Sequence, residues 1–153
     1  MPELWNVLHD GAIMGIQGSV PGDIRLVVMI PYLKELWAEA EDYLIIDLHG
    51  CTVFEWHVFG KDDETVVFQD LTAIANSRPK IRTATAVDKT ILLYTRGSVA
   101  KQRGATHPLW EVQGELRIRY DSMAMYLNTV GTDPLPLEEV RDRAAAYWSR
   151  NHK

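Results

Sequence analysis

The sequence predicts an α+β fold: a mainly antiparallel sheet of about eight strands in hairpins, a helix after strand 2 and an amphipathic C-terminal helix. Three observations carry this expectation. Short runs that alternate apolar and polar residues recur along the chain, which is the period of a half-buried strand. Gly, Pro, Asp and Asn punctuate them at spacings suited to hairpins and too short for parallel crossovers. Two stretches repeat their apolar residues at three and four instead, which is the helical period.

In chain order, Leu4–Leu8 reads as about one helical turn, ended by His9-Asp10-Gly11. Ala12–Gly18 and Asp23–Ile30 form a first hairpin, with Ile24, Leu26, Val28 and Ile30 on one face. The Pro21-Gly22 pair between them is a type II turn signature, since Pro presets φ and Gly supplies φ > 0. Pro31 opens a helical stretch to about Ala40, where Leu33, Leu36 and Trp37 make one stripe; proline costs nothing in a first helical turn. Tyr43–Phe59 is the most strand-like stretch of the chain. Its arms, Tyr43–His49 and Thr52–Phe59, keep Leu44, Ile46, Leu48, Phe54, Trp56 and Val58 at even positions. With Gly50 between them, they predict a central hairpin.

Gly60–Glu64 is a polar turn, Thr65–Phe68 a short strand and Asp70–Asn76 a short helix with Leu71 and Ile74 inward. Lys80–Val87 and Thr90–Arg96 read as a hairpin turned at Asp88-Lys89, and Gly97–Pro108 as a long loop, a length often functional. Leu109–Tyr120 alternates cleanly, Asp121-Ser122 turns the chain, and Met123–Asn128 follows. Pro134 opens a helix to about Arg150 with a stripe of Leu137, Val140, Ala144, Tyr147 and Trp148. Two Glu in its first turn and Arg150 in its last suit the helix dipole.

The 153 residues are expected to form one domain, 1–153, burying roughly 70% of the unfolded surface. A single cysteine, Cys51, excludes an internal disulfide and fits a reducing compartment. The first residues carry no basic and apolar leader pattern, and no apolar run approaches the ~18 residues of a membrane span. The expectation is a soluble cytoplasmic protein with no membrane contact. Charge is uneven: residues 1–76 hold three basic against thirteen acidic residues, a net of −10, while residues 77–153 hold thirteen against eight, a net of +5. Basic strands lying beside acidic ones would neutralise this in the folded sheet.

Candidate chemistry is sparse. His49, Cys51 and His57 offer imidazoles and a thiol of the kind zinc takes, but a fourth ligand is missing and the spacing fits no structural zinc pattern. Cys51 has no cation nearby to lower its pKa, so it reads as a buried small hydrophobe. His9-Asp10 resembles half of an HD-type metal site without its partners, and Asp10-Gly11 suits a turn. Gly97–Gly104 lacks the Gly-Lys-Ser/Thr ending of a phosphate-binding loop. No metal, no cofactor and no catalytic residue is therefore assigned. An acidic set, Glu39, Glu41 and Asp42 with Asp62, Asp63 and Glu64, could meet a basic protein. A basic run, Arg78, Lys80, Arg82, Lys89, Arg96, Lys101 and Arg103, could follow a phosphate backbone.

Leu8-His-Asp-Gly11, the Pro21-Gly-Asp23 turn, Ile30-Pro-Tyr-Leu33 and Leu48-His-Gly-Cys51 resemble a set of small uncharacterised bacterial cytosolic proteins. In size and acidity these are similar to immunity proteins of bacterial toxin systems. The resemblance covers mainly residues 4–59 and implies no active site. It implies a partner, another protein and specifically a toxin. The leading expectation is thus a non-enzymatic protein-binding module. The alternatives are a small-molecule-binding protein or enzyme with a pocket at His49, His57 and Trp56 under the 97–108 loop, and nucleic-acid binding through residues 78–103. Oligomeric state is left open.

Overall fold

A computed structural model describes residues 2–59, 65–100, 109–127 and 133–151. A 3-10 helix, Pro2–Leu8, precedes the hairpin of β1 (Ala12–Gly18) and β2 (Gly22–Met29). Ile24, Leu26 and Val28 of β2 are buried, as their alternation demands. In the turn Gly22 has the expected positive φ, Gly18 has one as well, and the Val20–Pro21 bond is cis. The expected ten-residue helix after Pro31 is only one turn long, α1 (Leu33–Leu36). Its apolar stripe nevertheless holds, for Leu33, Leu36 and Trp37 are all buried.

The largest correction concerns the central segment. β3 (Tyr43–Cys51) and β4 (Val53–Phe59) are both strands, but they do not form a hairpin. β3 pairs with β2 on one side and with β9 (Ser122–Leu127) on the other. β4 pairs with β5 (Thr65–Phe68) and with β8 (Leu109–Arg119). Only Thr52 separates β3 from β4, which leaves no residues for a reversal. The chain turns a corner instead, and the opposing ribbon turns with it at Tyr120-Asp121. Pairing continues through the bend: Thr52 N–H donates to the Arg119 carbonyl and Asp121 N–H to the His49 carbonyl, both at 2.9 Å. Gly50 makes the bend with φ of +63°, where a Cβ would meet the Asp121 carboxylate. Inward-facing residues step from Leu48 to Cys51 to Phe54, two intervals of three. The two slips cancel, so even positions are buried on both arms.

The remaining elements are α2 (Leu71–Asn76), β6 (Lys80–Val87), β7 (Thr90–Ala100) and α3 (Leu137–Asn151). β6 and β7 form the expected hairpin, with Asp88 at φ of +55° in its turn. β7 extends to Ala100, so Gly97–Ala100 is strand and not loop; residues 101–108 lie outside the described residues. The result is one antiparallel sheet of nine strands in the order β5-β4-β8-β7-β6-β1-β2-β3-β9. Because β3 runs on into β4 and β9 abuts β8, this order curls back on itself, as strands that bend between two sheets allow. The seam between β6 and β1 is narrow. It is held by Ala12 opposite Lys80 and by Ile13 N–H and Ile81 N–H bonding to the Pro79 and Gly11 carbonyls.

Inner faces of all these strands meet in one cluster of buried side chains. Leu4, Trp5, Val7 and Leu8 of the 3-10 helix cover one end of it, and α3 packs on them through Val140 and Ala144. Tyr147 stacks on Tyr32 at 4.5 Å and Trp148 meets the same ring edge-on at 5.0 Å. Buried Tyr32 donates to the Val7 carbonyl, so the end cap and the sheet are tied by a satisfied polar contact. Desolvation pushes its phenol pKa upward.

Candidate functional site

With Phe54, Trp56 and Val58 directed into the core, the odd positions of β4 must point outward. Register then sets out the outer face of the β5-β4-β8-β7 half row by row. One row runs Val67, His57, Glu115, Tyr94; the next runs Thr65, Phe59, Gln113, Arg96. Its polar members bond to each other. Glu55 accepts from Gln69 Nε2 at 2.6 Å and lies 3.2 Å from His57 Nε2. Those two contacts, Gln69 first, hold the Glu55 carboxyl below its usual range. Arg117 reaches Glu115 at 2.9 Å, and the Tyr94 hydroxyl donates to Gln113.

Between these pairs lies apolar surface. Phe59 is 45%, Val66 53% and Val67 45% exposed, and Tyr94 is also exposed. Val66 pairs with inward Val58 and Val67 with outward His57, so β5 shows valine on both of its faces. Burying such side chains against a partner contributes about 25 cal/mol per Å² of apolar surface. Exposed apolar side chains framed by polar pairs are the make-up of a contact surface.

Directly beneath it, Trp56 anchors the same strands. Its ring is fully buried, its Nε1–H donates to the buried Thr95 hydroxyl at 2.9 Å, and it lies 5.6 Å from the Phe68 ring at a tilt. The ring passes so close to Gly97 that a Cβ there would sit 2.8 Å from two indole carbons. The expected pocket of His49, His57 and Trp56 is therefore not assembled: Trp56 points inward, His57 outward from the next position, and His49 sits on β3 beyond the corner. His49 is exposed, 3.9 Å from Asp23. Cys51 is buried, with its thiol 3.3 Å from the Val53 carbonyl, and burial raises its pKa. Among the described residues no three His, Cys, Asp or Glu side chains gather as a metal site would require.

Of the acidic set, Glu39, Glu41 and Asp42 are exposed between α1 and β3. Asp62, Asp63 and Glu64 lie outside the described residues, as do Lys101 and Arg103. The basic run is dispersed. Lys80 and Arg96 face each other across β6 and β7, while Arg82 turns toward Asp10 at 3.7 Å. Asp10 itself has φ of +64°, the turn role its sequence suggests.

A groove of about 470 Å³ lies between the 3-10 helix, β6 and α3, lined by Glu3, Asn6, His9, Arg82, Thr83, Arg141, Ala145 and Trp148. His9 meets Trp148 edge-on at 4.6 Å and bonds to the Arg82 carbonyl through Nδ1. Sequence reading missed this groove because its walls come from the two ends and the middle of the chain. It also missed the exposure of β5, since an unbroken Val-Val-Phe run ordinarily marks a strand covered on both faces. The available signal was the cluster Asp62-Asp63-Glu64 directly before it, the kind of charge that flanks an exposed apolar strand.

Compared with protein-family models, with curated proteins and with solved structures, the chain matches none.

Proposed function

We propose that this chain is a non-enzymatic protein-binding module that docks its partner on the outer face of β5, β4 and β7. The observation that carries this reading is the exposure of Phe59, Val67 and Tyr94 amid paired polar side chains on the outer face of the sheet. The immunity-type resemblance proposes a bacterial toxin as that partner, which the module would neutralise by occupying its surface. Paired polar groups such as Glu55 with Gln69 and Glu115 with Arg117 give the rim orientation more than affinity. The experiment is size-exclusion chromatography of the purified chain mixed with extract of the source cell. A stoichiometric complex that weakens as salt screens exposed charge is expected. Recovery of no stoichiometric protein partner at low salt contradicts the reading.

A second reading rests on the groove where the Trp148 ring forms one wall and Arg82 and Arg141 stand beside it with Glu3. Such a concavity suits a small planar anion, with an aromatic wall and cations to orient it. Titration with benzoate, followed by NMR at the Trp148 indole N–H, tests it. A saturable shift that Arg82→Ala removes supports this reading, and a flat titration ends it.

A further inference from the structure

We infer that the groove between the 3-10 helix, β6 and α3 takes a free aromatic α-amino acid, its ring against Trp148 and its ammonium and carboxylate held by Glu3 and Arg141. This rests on the groove reading and names the ligand; the protein-binding reading is independent of it.

Helical periods build the two walls. On α3, Arg141, Ala145 and Trp148 fall at i, i+4 and i+7 and so share one stripe. The helical rise sets Arg141 roughly 10 Å from Trp148 along it. On the facing element the period is three, because side chains at i and i+3 of a 3-10 helix eclipse. Glu3, Asn6 and His9 fall at that interval, and His9 N–H closes the last turn on the Asn6 carbonyl at 3.1 Å. That column is about 12 Å long at the 3-10 rise. The two columns meet where His9 lies edge-on to the Trp148 ring at 4.6 Å, and all six residues line the same cavity of about 470 Å³. Glu3 and Arg141 therefore share the end away from Trp148, and the small side chain of Ala145 leaves the space between.

The aromatic end is held in place by the chain itself. The pairing of β6 with β7 slips between Ile81 and Thr83, which makes Arg82 the extra residue of a bulge, a device that re-aims a side chain. The Arg82 carbonyl holds His9 through Nδ1. Trp148 Nε1–H donates to the Tyr32 hydroxyl at 3.2 Å, and Tyr147 meets the indole edge-on at 5.0 Å. A wall fixed in this way costs a ligand little ordering.

Charge selects the ligand. Each arginine of the groove lies beside a carboxylate of its own chain, Arg82 with Asp10 at 3.7 Å and Arg141 with Asp142 at 3.2 Å. Glu3 makes three carboxylates against two guanidinium groups. A bare anion meets Glu3 as well as Arg141, and a bare cation meets both arginines. A molecule of no net charge, with ammonium and carboxylate on one carbon, complements that mixed end. An aromatic side chain on the same carbon extends toward Trp148.

The test titrates the full chain, isotope-labelled, with L-phenylalanine, with 3-phenylpropionate, which lacks the ammonium, and with phenethylamine, which lacks the carboxylate. Saturable NMR shifts at the Trp148 indole N–H and the Ala145 methyl are expected for L-phenylalanine. Its affinity should exceed that of either analogue at least about tenfold, as a charge-assisted hydrogen bond to each head group entails. Glu3→Gln should bring L-phenylalanine down to the level of 3-phenylpropionate, and Arg141→Gln down to that of phenethylamine. Glu3 is exposed and Arg141 partly so, which leaves the core untouched in both variants. Ala145→Leu, which fills the gap with a good helix former, should abolish binding of all three. Equal affinity for L-phenylalanine and either analogue, or a preference that survives Glu3→Gln, overturns the amino-acid assignment, while benzoate binding at Trp148 leaves the planar-anion reading standing. Binding that persists in Ala145→Leu places the ligand elsewhere and overturns the proposal. No shift at Trp148 or Ala145 with any of the three or with benzoate overturns the two together.

Discussion

Thr95 is the buried polar residue on which the packing under the candidate surface turns. Its hydroxyl is the acceptor for Trp56 Nε1–H, and both groups are fully buried. Removing the hydroxyl leaves a buried donor unpaired, a loss of about 1–3 kcal/mol. Thr95→Val is therefore expected to lower stability by that amount in urea unfolding, despite conserving shape. The Arg25 and Asp47 side chains set the acid response. They are cross-strand partners bonded at 2.7 and 2.9 Å, and this bond holds the Asp47 carboxyl below its ordinary value. A carboxyl whose folded pKa is depressed stabilises above its unfolded value, near 4, and loses that stabilisation as pH falls through the folded value. Glu55 acts in the same direction. Unfolding midpoints should consequently fall on acidification below about pH 4, and less steeply in Asp47→Asn. At neutral pH that variant should cost about 0.5–1 kcal/mol, the range of a well-formed exposed pair.

At the scale of elements, the corner between β3 and β4 decides the architecture. Gly50 holds a positive φ there, and a side chain would collide with Asp121 on the opposing ribbon. Gly50→Ala should destabilise by about 1–2 kcal/mol from backbone strain alone, measured as a shift of the thermal midpoint. Strand identity was legible in the sequence because alternation reports which residues face a core. Leu44, Ile46 and Leu48 and then Phe54, Trp56 and Val58 are buried as read. Pairing was not legible there. The same alternation fits a hairpin and a bent ribbon equally well, and the register of residues 43–59 against 113–127 is a contact between distant parts of the chain. Local hairpins such as β6–β7 were legible because their turns are local. The exposure of Val66 and Val67 was hidden for a related reason: β5 looks like a core strand until its place at the end of the sheet is known.

The whole molecule is a curled antiparallel sheet with one end capped by the 3-10 helix and α3. Among the described residues no helix is long and apolar enough to cross a membrane. The sheet gives the outer face of β4, β5 and β7 a rigid backing, so a partner docking there need not order the surface first. Its exposed apolar side chains have no role in the core: Phe59 and Val67 point away from Trp56 and Val58. Replacing them should therefore separate binding from folding. The most direct measurement is the affinity for the captured partner of the double variant Phe59→Lys/Val67→Lys, read beside its thermal midpoint. The account predicts a midpoint close to that of the parent chain and binding weakened by at least about a hundredfold, as loss of central apolar contacts entails. Full affinity in a variant that folds normally would contradict it.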